Sequence, residues 1–596
     1  MLQYKTPDVY LQEKILVSPS VSGALTAIPA FIGFTKLTTN HSGDAITNIP
    51  VAIGSMAEFE AVFGGGQTEL FSVAHDQFRD EYALIDAEQG TKESNNKITF
   101  YLYQAVAHFF ANGGGRCYLL SIGDYRTPKP HITSVLFKDA IDLLEAVDEV
   151  TLLSIPESVL MSTLEHYSVQ SHALLHCEKM KNRFALLDVQ QVSGFSQGKP
   201  NVDIPAMRNR VAVGLQYGAA YYPYVRTSTP RRYEKSSVMV NYSLTLNKLH
   251  SDFNGCLMSL AGEPLDQYGF KISDQSGPYP VYINIHAAKK NSAVSAIKLV
   301  DSVGFEVDTH GQRMTNQPPF GIFTDDGADI TAISAHSLDH LGFETKGKAF
   351  NERKLTNGSV IKYVIAAHHL KLTASLAYLS DPKGRLASSV AYSAVKSLLA
   401  KNYLVLPPSA AMAGIMAQTD AALGVWKAPA NVALSNVREP CVAIDNGEQQ
   451  NLNVDLVAGK SVNAIRNFVG KGTLVWGART LMGNDREWRY ISVRRLFNMV
   501  EESIKKASYF AVFETNTAFT WLKLKTMIEN YLENLWRQGA LCGDTADAAF
   551  FVNVGLGQTM TEDDVNNGIM NIEVGLAAVR PAEFIILTFS HTSLAG

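Results

Sequence analysis

The chain of 596 residues lacks several features that would place it in a familiar functional class. It contains no run of about 18 or more apolar residues, which a helix needs to cross a membrane. Basic residues are not in excess, since 52 Lys and Arg stand against 57 Asp and Glu for a net charge of −5. That balance argues against nucleic acid as the main partner. The first residues also lack the basic and then apolar pattern of a signal peptide.

Cysteine is scarce as well. The chain has five cysteines, an odd number, and they are scattered without any Cys-x-x-Cys motif. Neither a disulfide framework nor a thiolate zinc site is therefore indicated. We expect reduced and mostly buried thiols, as in a protein made in the cytoplasm.

Motifs for nucleotide binding and nucleophilic catalysis are missing or incomplete. No G-x-x-x-x-G-K-[ST] loop occurs. The G-x-S-x-G match at 194–198 is followed by Lys199-Pro200 rather than by the helix that a nucleophile elbow requires. His336 and His340 are four residues apart and would share a helix face, as in a metal site, but no second ligand cluster accompanies them. We expect no catalytic residue, cofactor or metal, and keep as the alternative a metal-dependent α/β hydrolase that uses these two histidines.

The residues that are present indicate a large soluble protein. With 46% hydrophobic and 18% charged residues, the chain is ordinary for a globular protein, and its length predicts about two to four domains. Continuously apolar strands alternate with helices up to residue 228, which predicts an α/β fold with a mixed, mainly parallel sheet covered by helices on both faces. From 229 to 385 polar loops separate shorter segments, which indicates an inserted surface domain.

Both ends of the chain carry segments that need a partner. The predicted last strand, 583–589, is apolar on both faces and requires cover on each side and pairing at each edge. We therefore expect a neighbouring molecule to receive it. Near the other end, strand periodicity after Pro7 predicts a second extended segment. The residues predicted to form these two arms are Val9, Tyr10, Leu11 and Gln12, and Phe584, Ile585, Ile586, Leu587, Thr588 and Phe589.

Two amphipathic helices precede the last strand. The first repeats an apolar residue every three or four positions, from Val493 to Ala507, which predicts one buried face. The second is predicted to start after a cap at Asn516 or Thr517 and to end at Gly539. Four basic residues of the first helix are expected to lie off its apolar face: Arg494, Arg495, Lys505 and Lys506. Either both helices are core helices with solvated polar faces, or these basic residues meet an acidic partner.

Eight longer motifs resemble those of one family. They are YKTPDVY at 4–10, AFIG at 30–33, FFANGGGRCY at 109–118, YGAAYYPY at 217–224, LPPSAAMAG at 406–414, GVWKAPAN at 424–431, VWGART at 475–480 and EWRYISVRR at 487–495. With these motifs the chain resembles the contractile tail sheath proteins of phage tails, R-type pyocins and extracellular contractile injection systems. The resemblance covers roughly 1–228 and 390–596 and leaves the insert outside.

The resemblance implies a structural subunit that is not an enzyme. Such subunits polymerise as stacked hexameric rings in a six-start helix around an inner tube, exchange terminal strands with neighbours, and contract to drive the tube through a target envelope. The implied partners are other sheath subunits, the inner tube protein, and baseplate and cap proteins, with no nucleic acid and no membrane insertion. Arg494, Arg495, Lys505 and Lys506 become candidates for contact with an acidic tube surface.

The resemblance also implies an organisation and a place of assembly. The expected segments are an N-terminal arm (1–22), a first core part (23–228), the inserted surface domain (229–385), a C-terminal core part facing the tube (386–578) and a C-terminal arm (579–596). Assembly is expected in the bacterial cytoplasm, as part of a phage tail-like particle. Release of the particle from the cell and anchoring at a membrane both remain open.

Overall fold

A computed structural model describes most of the chain. The described residues are 21–40, 42–76, 81–85, 99–127, 132–192, 202–245, 282–283, 286–289, 292–300, 322–324, 329–330, 350–354, 360–364, 369–380 and 389–584. Some residues named in the predictions lie outside the described ranges. They are the strand residues Val9, Tyr10, Leu11, Gln12, Ile585, Ile586, Leu587, Thr588 and Phe589, the histidines His336 and His340, and the 194–198 motif. The chain divides into two compact units, one made of 1–66, 100–228 and 405–596 and the other of 67–99 and 229–404.

The strands are numbered in chain order. They are β1 (Pro29–Thr35), β2 (Val51–Ile53), β3 (Glu69–Asp76), β4 (Glu81–Leu84), β5 (Cys117–Asp124), β6 (Leu152–Ser154), β7 (Phe184–Asp188), β8 (Gly218–Tyr222), β9 (Val225–Pro230), β10 (Tyr233–Thr245), β11 (Tyr282–Ile283), β12 (His286–Lys289), β13 (Ser292–Val300), β14 (Ile322–Thr324), β15 (Asp329–Ile330), β16 (Phe350–Lys354), β17 (Val360–Val364), β18 (His369–Ser375), β19 (Tyr403–Leu406), β20 (Val432–Ala433), β21 (Val437–Pro440), β22 (Val462–Phe468), β23 (Gly472–Trp476), β24 (Phe550–Asn553) and β25 (Glu573–Leu576).

The helices follow the same convention. They are α1 (Met56–Phe63), α2 (Leu102–Ala111), α3 (Ser134–Leu143), α4 (Thr163–Met180), α5 (Asp203–Arg210), α6 (Leu376–Ser380), α7 (Ser389–Ala400), α8 (Ser409–Leu423), α9 (Asn446–Asn453), α10 (Ile491–Ser508), α11 (Ala518–Arg537), α12 (Ala546–Ala549) and α13 (Glu562–Asn566). Within the described parts of the chain, no helix combines the length and the apolar character that a membrane crossing requires.

The first unit is built on a nine-stranded sheet with the order β2-β5-β1-β6-β7-β8-β22-β23-β20. The six strands from β5 to β22 pair in parallel with their neighbours. Antiparallel strands close both edges, β2 at one and β23 with β20 at the other. Parallel pairing needs a crossover between consecutive strands, and the intervening helices provide it. The predicted α/β class with a mixed sheet and flanking helices is therefore confirmed.

Helices cover this sheet on both faces, so its central strands β1, β6, β7 and β8 are buried at every position. All seven residues of β1 are buried. Because side chains alternate across a strand, Phe31 packs with α1, α2 and α8, whereas Ile32 packs on the opposite face with α3 and α4. The same alternation divides Leu152 from Leu153 on β6. A continuous apolar run in the sequence therefore indicates a strand whose two faces are both covered.

The second unit contains an eleven-stranded sheet assembled from two separate stretches of the chain. Strand β3 pairs in parallel with β10, Phe71 lying opposite Val238, and β4 pairs with β3 at the edge of the sheet. Residues 67–99 therefore belong with 229–404, although we had expected them in the first core part and expected a single insert ending at 385. The apolar alternation of β3 does not show which sheet the strand joins, since either sheet would bury it.

Helices α2 and α8 cross closely at Gly414, and this crossing yields a prediction. A Cβ added there would lie 2.5 Å from the carbonyl oxygen of Phe109 and 2.9 Å from Cβ of Asn112. Ala normally stabilises a helix interior relative to Gly. Here the backbone oxygen cannot move aside, so we expect Gly414→Ala to destabilise the chain by about 1–3 kcal/mol.

The melting temperature measured by calorimetry tests this prediction. Gly115→Ala is the matched control, since a Cβ at Gly115 would meet nothing within 4 Å. We expect the control to melt close to the parent chain and Gly414→Ala to melt several degrees lower. Equal melting temperatures for the two variants would show that the helices can separate at the crossing without cost.

Candidate assembly site at the arm roots

Helix α10 organises the C-terminal part of the first unit. Its apolar residues Leu496 and Val500 are buried against Leu524, Ile528 and Leu532 of α11. The predicted pair of amphipathic helices is present, with Thr517 at the N-cap position of α11 and Gly539 (φ +83°) beyond its last turn. Both helices belong to one apolar cluster with β24 and β25, so α10 is fixed along its length.

Arg495 of α10 is buried in an ion pair. Its guanidinium donates to both carboxylate oxygens of Asp420 at 2.9 and 2.5 Å, and the two side chains are 3% and 6% exposed. The same guanidinium donates to the carbonyl oxygen of Thr26 at 3.0 Å. Arg495 thus connects α10 to α8 and to the chain that enters from the N-terminus.

Arg494 is buried among aromatic rings. Its guanidinium carbon lies 4.1 Å from the centre of the Trp488 ring and 5.0 Å from that of Tyr217, within the range of cation–π attraction. Its Nε donates to Asn498 at 2.8 Å and its terminal nitrogen donates to Glu501 at 2.9 Å. The Arg494 side chain is therefore held by two hydrogen bonds and by contacts with aromatic rings of its own chain.

Both arginines are buried, so the alternative of a solvated polar face does not hold for them. Their side chains are 3% exposed and bind groups of the same chain. Lys505 and Lys506 near the end of α10 are exposed, and both ammonium groups lie within 4 Å of the Glu502 carboxylate, at 3.8 and 3.1 Å. Contact with an inner tube thus stays a prediction, and the structure leaves these two lysines available for it.

The N-terminal root, residues 21–28, lies along α10. The backbone N–H of Ala24 donates to the hydroxyl of Ser503 at 2.8 Å, and the carbonyl of Thr26 accepts from Arg495. The hydroxyl of Thr151 adds a second bond to that carbonyl at 2.8 Å. The chain is therefore held by specific bonds from residue 24 onward.

The C-terminal root, residues 579–584, is held at the other end of α10. Arg479 donates from Nε and from a terminal nitrogen to the two carboxylate oxygens of Glu583, at 2.9 and 2.6 Å. The hydroxyl of Tyr490, the N-cap residue of α10, donates to the same carboxylate at 3.3 Å. The next residue, Phe584, is 71% exposed. Sequence reasoning missed Arg479 and Glu583, since nothing in the pattern pairs positions so far apart.

The described residues include one group compact enough to hold a metal ion. Ligand atoms of Asp142, Glu145 and His176 lie within 4.8 Å of one another. However, Nε2 of His176 lies 2.8 Å from Arg183, which can only donate, so the ring proton is on Nδ1 and neither nitrogen has a free lone pair. Burial, with the Arg183 charge, lowers the pKa of His176 to about 4. Lys179 lies 2.5 Å from Glu145, so the group forms an ion-paired network rather than a metal centre.

The first unit is an α/β fold in which the roots of the two terminal segments are held at opposite ends of one helix, α10. Residues 484–592 match the phage tail sheath C-terminal domain family. The predicted resemblance to contractile tail sheath proteins is therefore confirmed for the part of the chain that contains α10 and the C-terminal root.

Two sequence relatives agree with that match. The tail sheath protein of Enterobacteria phage T4 is 30% identical over 129 residues, which is 22% of this chain and 19% of the relative. The tail sheath protein of Vibrio phage KVP40 is 28% identical over 137 residues, or 23% of this chain and 20% of the relative. The alignments thus span about a fifth of these relatives.

Solved structures extend the likeness to the whole fold. The sheath complex of an extracellular contractile injection system, PVC, in the contracted state has a TM-score of 0.52 and 23% identity, covering 100% of this chain and 99% of the other. The helical sheath of the anti-feeding prophage in the contracted state has a TM-score of 0.51 and 24% identity, covering 99% of each chain. The chain therefore has the fold of these sheath proteins.

Proposed function

We propose that the chain is a structural sheath subunit of a contractile injection apparatus. It polymerises into a helical sheath around an inner tube and contracts to drive the tube through a target envelope. The main support for this proposal is that solved sheath structures match the fold over the full length of the chain. The C-terminal region, which contains the root of the C-terminal arm, also matches the phage tail sheath C-terminal domain family. The proteins that the chain matches are sheath proteins, and this supports a structural role rather than an enzymatic one.

The chain links its neighbours through its two terminal arms. The segment after Glu583 begins with the exposed Phe584, and the sequence that follows predicts a strand that is apolar on both faces. When such a strand is added to the sheet edge of a neighbour, the backbone hydrogen bonds of the strand are satisfied and its side chains are buried. The roots at Ala24 and Glu583 then stay in place while the arms bend.

Contraction is powered by burial of surface between subunits. Large apolar side chains stand almost fully exposed at Leu456, Val457, Val469 and Phe513. Burying each of them against a neighbour contributes about 1.5–3 kcal/mol. Repeated over many subunits, such contacts supply the free energy without nucleotide hydrolysis. The extended sheath is accordingly the less stable of the two states.

The partners follow from this role. They are other sheath subunits in stacked hexameric rings, an inner tube protein, and baseplate and cap proteins at the ends. Matches to the helical sheath and the baseplate of the anti-feeding prophage support association with other sheath subunits and with a baseplate. The subunit assembles in the bacterial cytoplasm into a phage tail-like particle.

The tube contact gives a testable prediction. Lys505 and Lys506 are exposed at the end of α10, and an acidic tube surface would attract them. We expect the double variant Lys505→Gln/Lys506→Gln to bind isolated inner tubes about tenfold more weakly at low salt, with a smaller difference at high salt. Co-sedimentation with tubes over a range of salt concentrations measures this.

The control for the tube experiment is Lys427→Gln/Lys471→Gln, which removes the same charge from exposed positions elsewhere. Equal weakening in the two double variants would mean that only net charge matters and that the end of α10 is not the contact. A loss confined to the α10 variant supports a specific contact.

Negative-stain microscopy of the purified full-length chain tests the function itself. A sheath subunit is expected to form tubes on its own and to coat inner tubes when these are present. The alternative is a metal-dependent hydrolase using His336 and His340, which lie outside the described residues. Stoichiometric zinc in purified chain that never forms tubes would favour that alternative and overturn the proposal.

A further inference from the structure

We propose that Arg479, Tyr490 and Glu583 form a clasp that fixes the point at which the C-terminal arm leaves the folded chain. The inference rests on the proposed function, because an arm has a role only if neighbours exchange arms. Arg479 and Tyr490 act as positioning residues: they set where the arm begins, while residues beyond 583 make the contacts with a neighbour.

The carboxylate of Glu583 is satisfied at both oxygens. Arg479 contacts each oxygen with a separate nitrogen, at 2.9 and 2.6 Å, and the hydroxyl of Tyr490 adds a third donor at 3.3 Å. The Arg479 side chain is 4% exposed and that of Glu583 is 15% exposed. A bidentate pair shielded from water is among the strongest polar contacts a side chain can make, and it fixes orientation as well as distance.

Arg479 is itself held to the central sheet. Its backbone N–H donates to Oδ1 of Asn463 at 2.8 Å, and Nδ2 of Asn463 donates back to the carbonyl of Arg479 at 2.8 Å. Asn463 belongs to β22, and the remaining guanidinium nitrogen of Arg479 donates to the carbonyls of Asn453 and Gly483 at 3.2 and 3.3 Å. A pull on the C-terminal arm at Glu583 would therefore be transmitted through Arg479 and Asn463 to the nine-stranded sheet.

The clasp also sets the spacing of the two arm roots. Tyr490 pairs with Arg479 through a backbone bridge and directly precedes α10. Ser503, which holds the N-terminal root, follows Tyr490 by 13 residues on α10. This corresponds to about 20 Å along an α-helix. A single rigid helix thus keeps the starting points of both arms at a constant separation.

Loss of the clasp would shift the starting point of the arm. In the segment that leads to Glu583, the backbone N–H of Val579 donates to the carbonyl of Ala540 at 3.3 Å. Release of Glu583 would therefore free residues 580–583, which adds about 13 Å of extended chain. With that much slack, the arm could pair with a neighbouring strand in several registers, and assembly would lose its precision.

A nitroxide label on Ala582→Cys tests the clasp in the full-length chain, with the other reactive cysteines replaced by serine. We expect Glu583→Ala to make the label several-fold more mobile and to give several-fold fewer long tubes, although the arm sequence is intact. Tyr490→Phe removes one donor and is expected to cause a smaller change. Glu562→Ala, at an exposed acidic residue of α13, is the control and is expected to change neither reading.

Circular dichroism and the melting temperature establish that each variant is folded. If Glu583→Ala does not fold, Glu583→Gln, which keeps the shape and one acceptor oxygen, decides the question by the same label. A label that stays as immobile in the folded variant as in the parent overturns the clasp. The mobility of the label can be measured in the unassembled chain. A parent chain that forms no tubes would therefore refute the proposed function, while the mobility of the label would still test the clasp.

Discussion

Deletion of residues 585–596 is expected to leave a folded, soluble chain that forms no long tubes. The deletion keeps Glu583 and Phe584 and every contact described for the first unit, so the fold has no reason to change. It removes the apolar strand that a neighbour would receive. Lateral contacts alone then leave monomers or short rings. Light scattering after size-exclusion chromatography and negative-stain microscopy measure the result.

A shorter deletion provides the control. Removal of 593–596 leaves the predicted strand through Phe589 in place, and this variant is expected to assemble like the parent chain. Both variants should melt at the parent temperature. Normal sheaths from the chain lacking 585–596 would refute the arm exchange.

The variant Arg495→Ala is expected to be among the least stable single variants of the first unit. Asp420, whose side chain is 6% exposed, would remain buried without its partner. Breaking a buried ion pair in this way costs about 3–5 kcal/mol. The carbonyl of Thr26 would also lose a donor, so the N-terminal root should loosen. Chemical denaturation followed by tryptophan fluorescence measures the loss.

Two further variants isolate the cause. Lys505→Ala lies on the same helix but is exposed, so its stability should stay within about 0.5 kcal/mol of the parent. The double variant Arg495→Met/Asp420→Leu replaces the pair with apolar groups and should recover much of the loss, as buried ion pairs often allow. A loss in Arg495→Ala no larger than that of Lys505→Ala would show that the pair is solvated.

The sheet and its helices could be predicted from local pattern. Strands such as β1 and β7 are buried at every position because helices cover both faces, and their mostly apolar residues give that signal within a few adjacent positions. The amphipathic periods of α10 and α11 are equally local. The membership of residues 67–99 could not be predicted, because an apolar strand shows that it is buried but not which sheet it joins.

The polar contacts of the site were beyond sequence reasoning for a related reason. Arg494 and Arg495 were expected to lie off the apolar face of α10, either solvated, as charged residues usually are, or facing an acidic partner. Their burial depends on Trp488, Tyr217 and Asp420, two of which come from distant parts of the chain. The pair Arg479–Glu583 joins positions about a hundred residues apart. Only the folded chain brings such partners together.

A cryo-EM map of tubes assembled from the full-length chain tests the central claim most directly. The central claim is that each subunit is connected to its neighbours by its terminal arms. The map is predicted to show the chain leaving the clasp at Glu583 and continuing as a strand in the sheet of a neighbouring subunit. A strand that turns back after Phe584 and pairs within its own subunit would contradict the account.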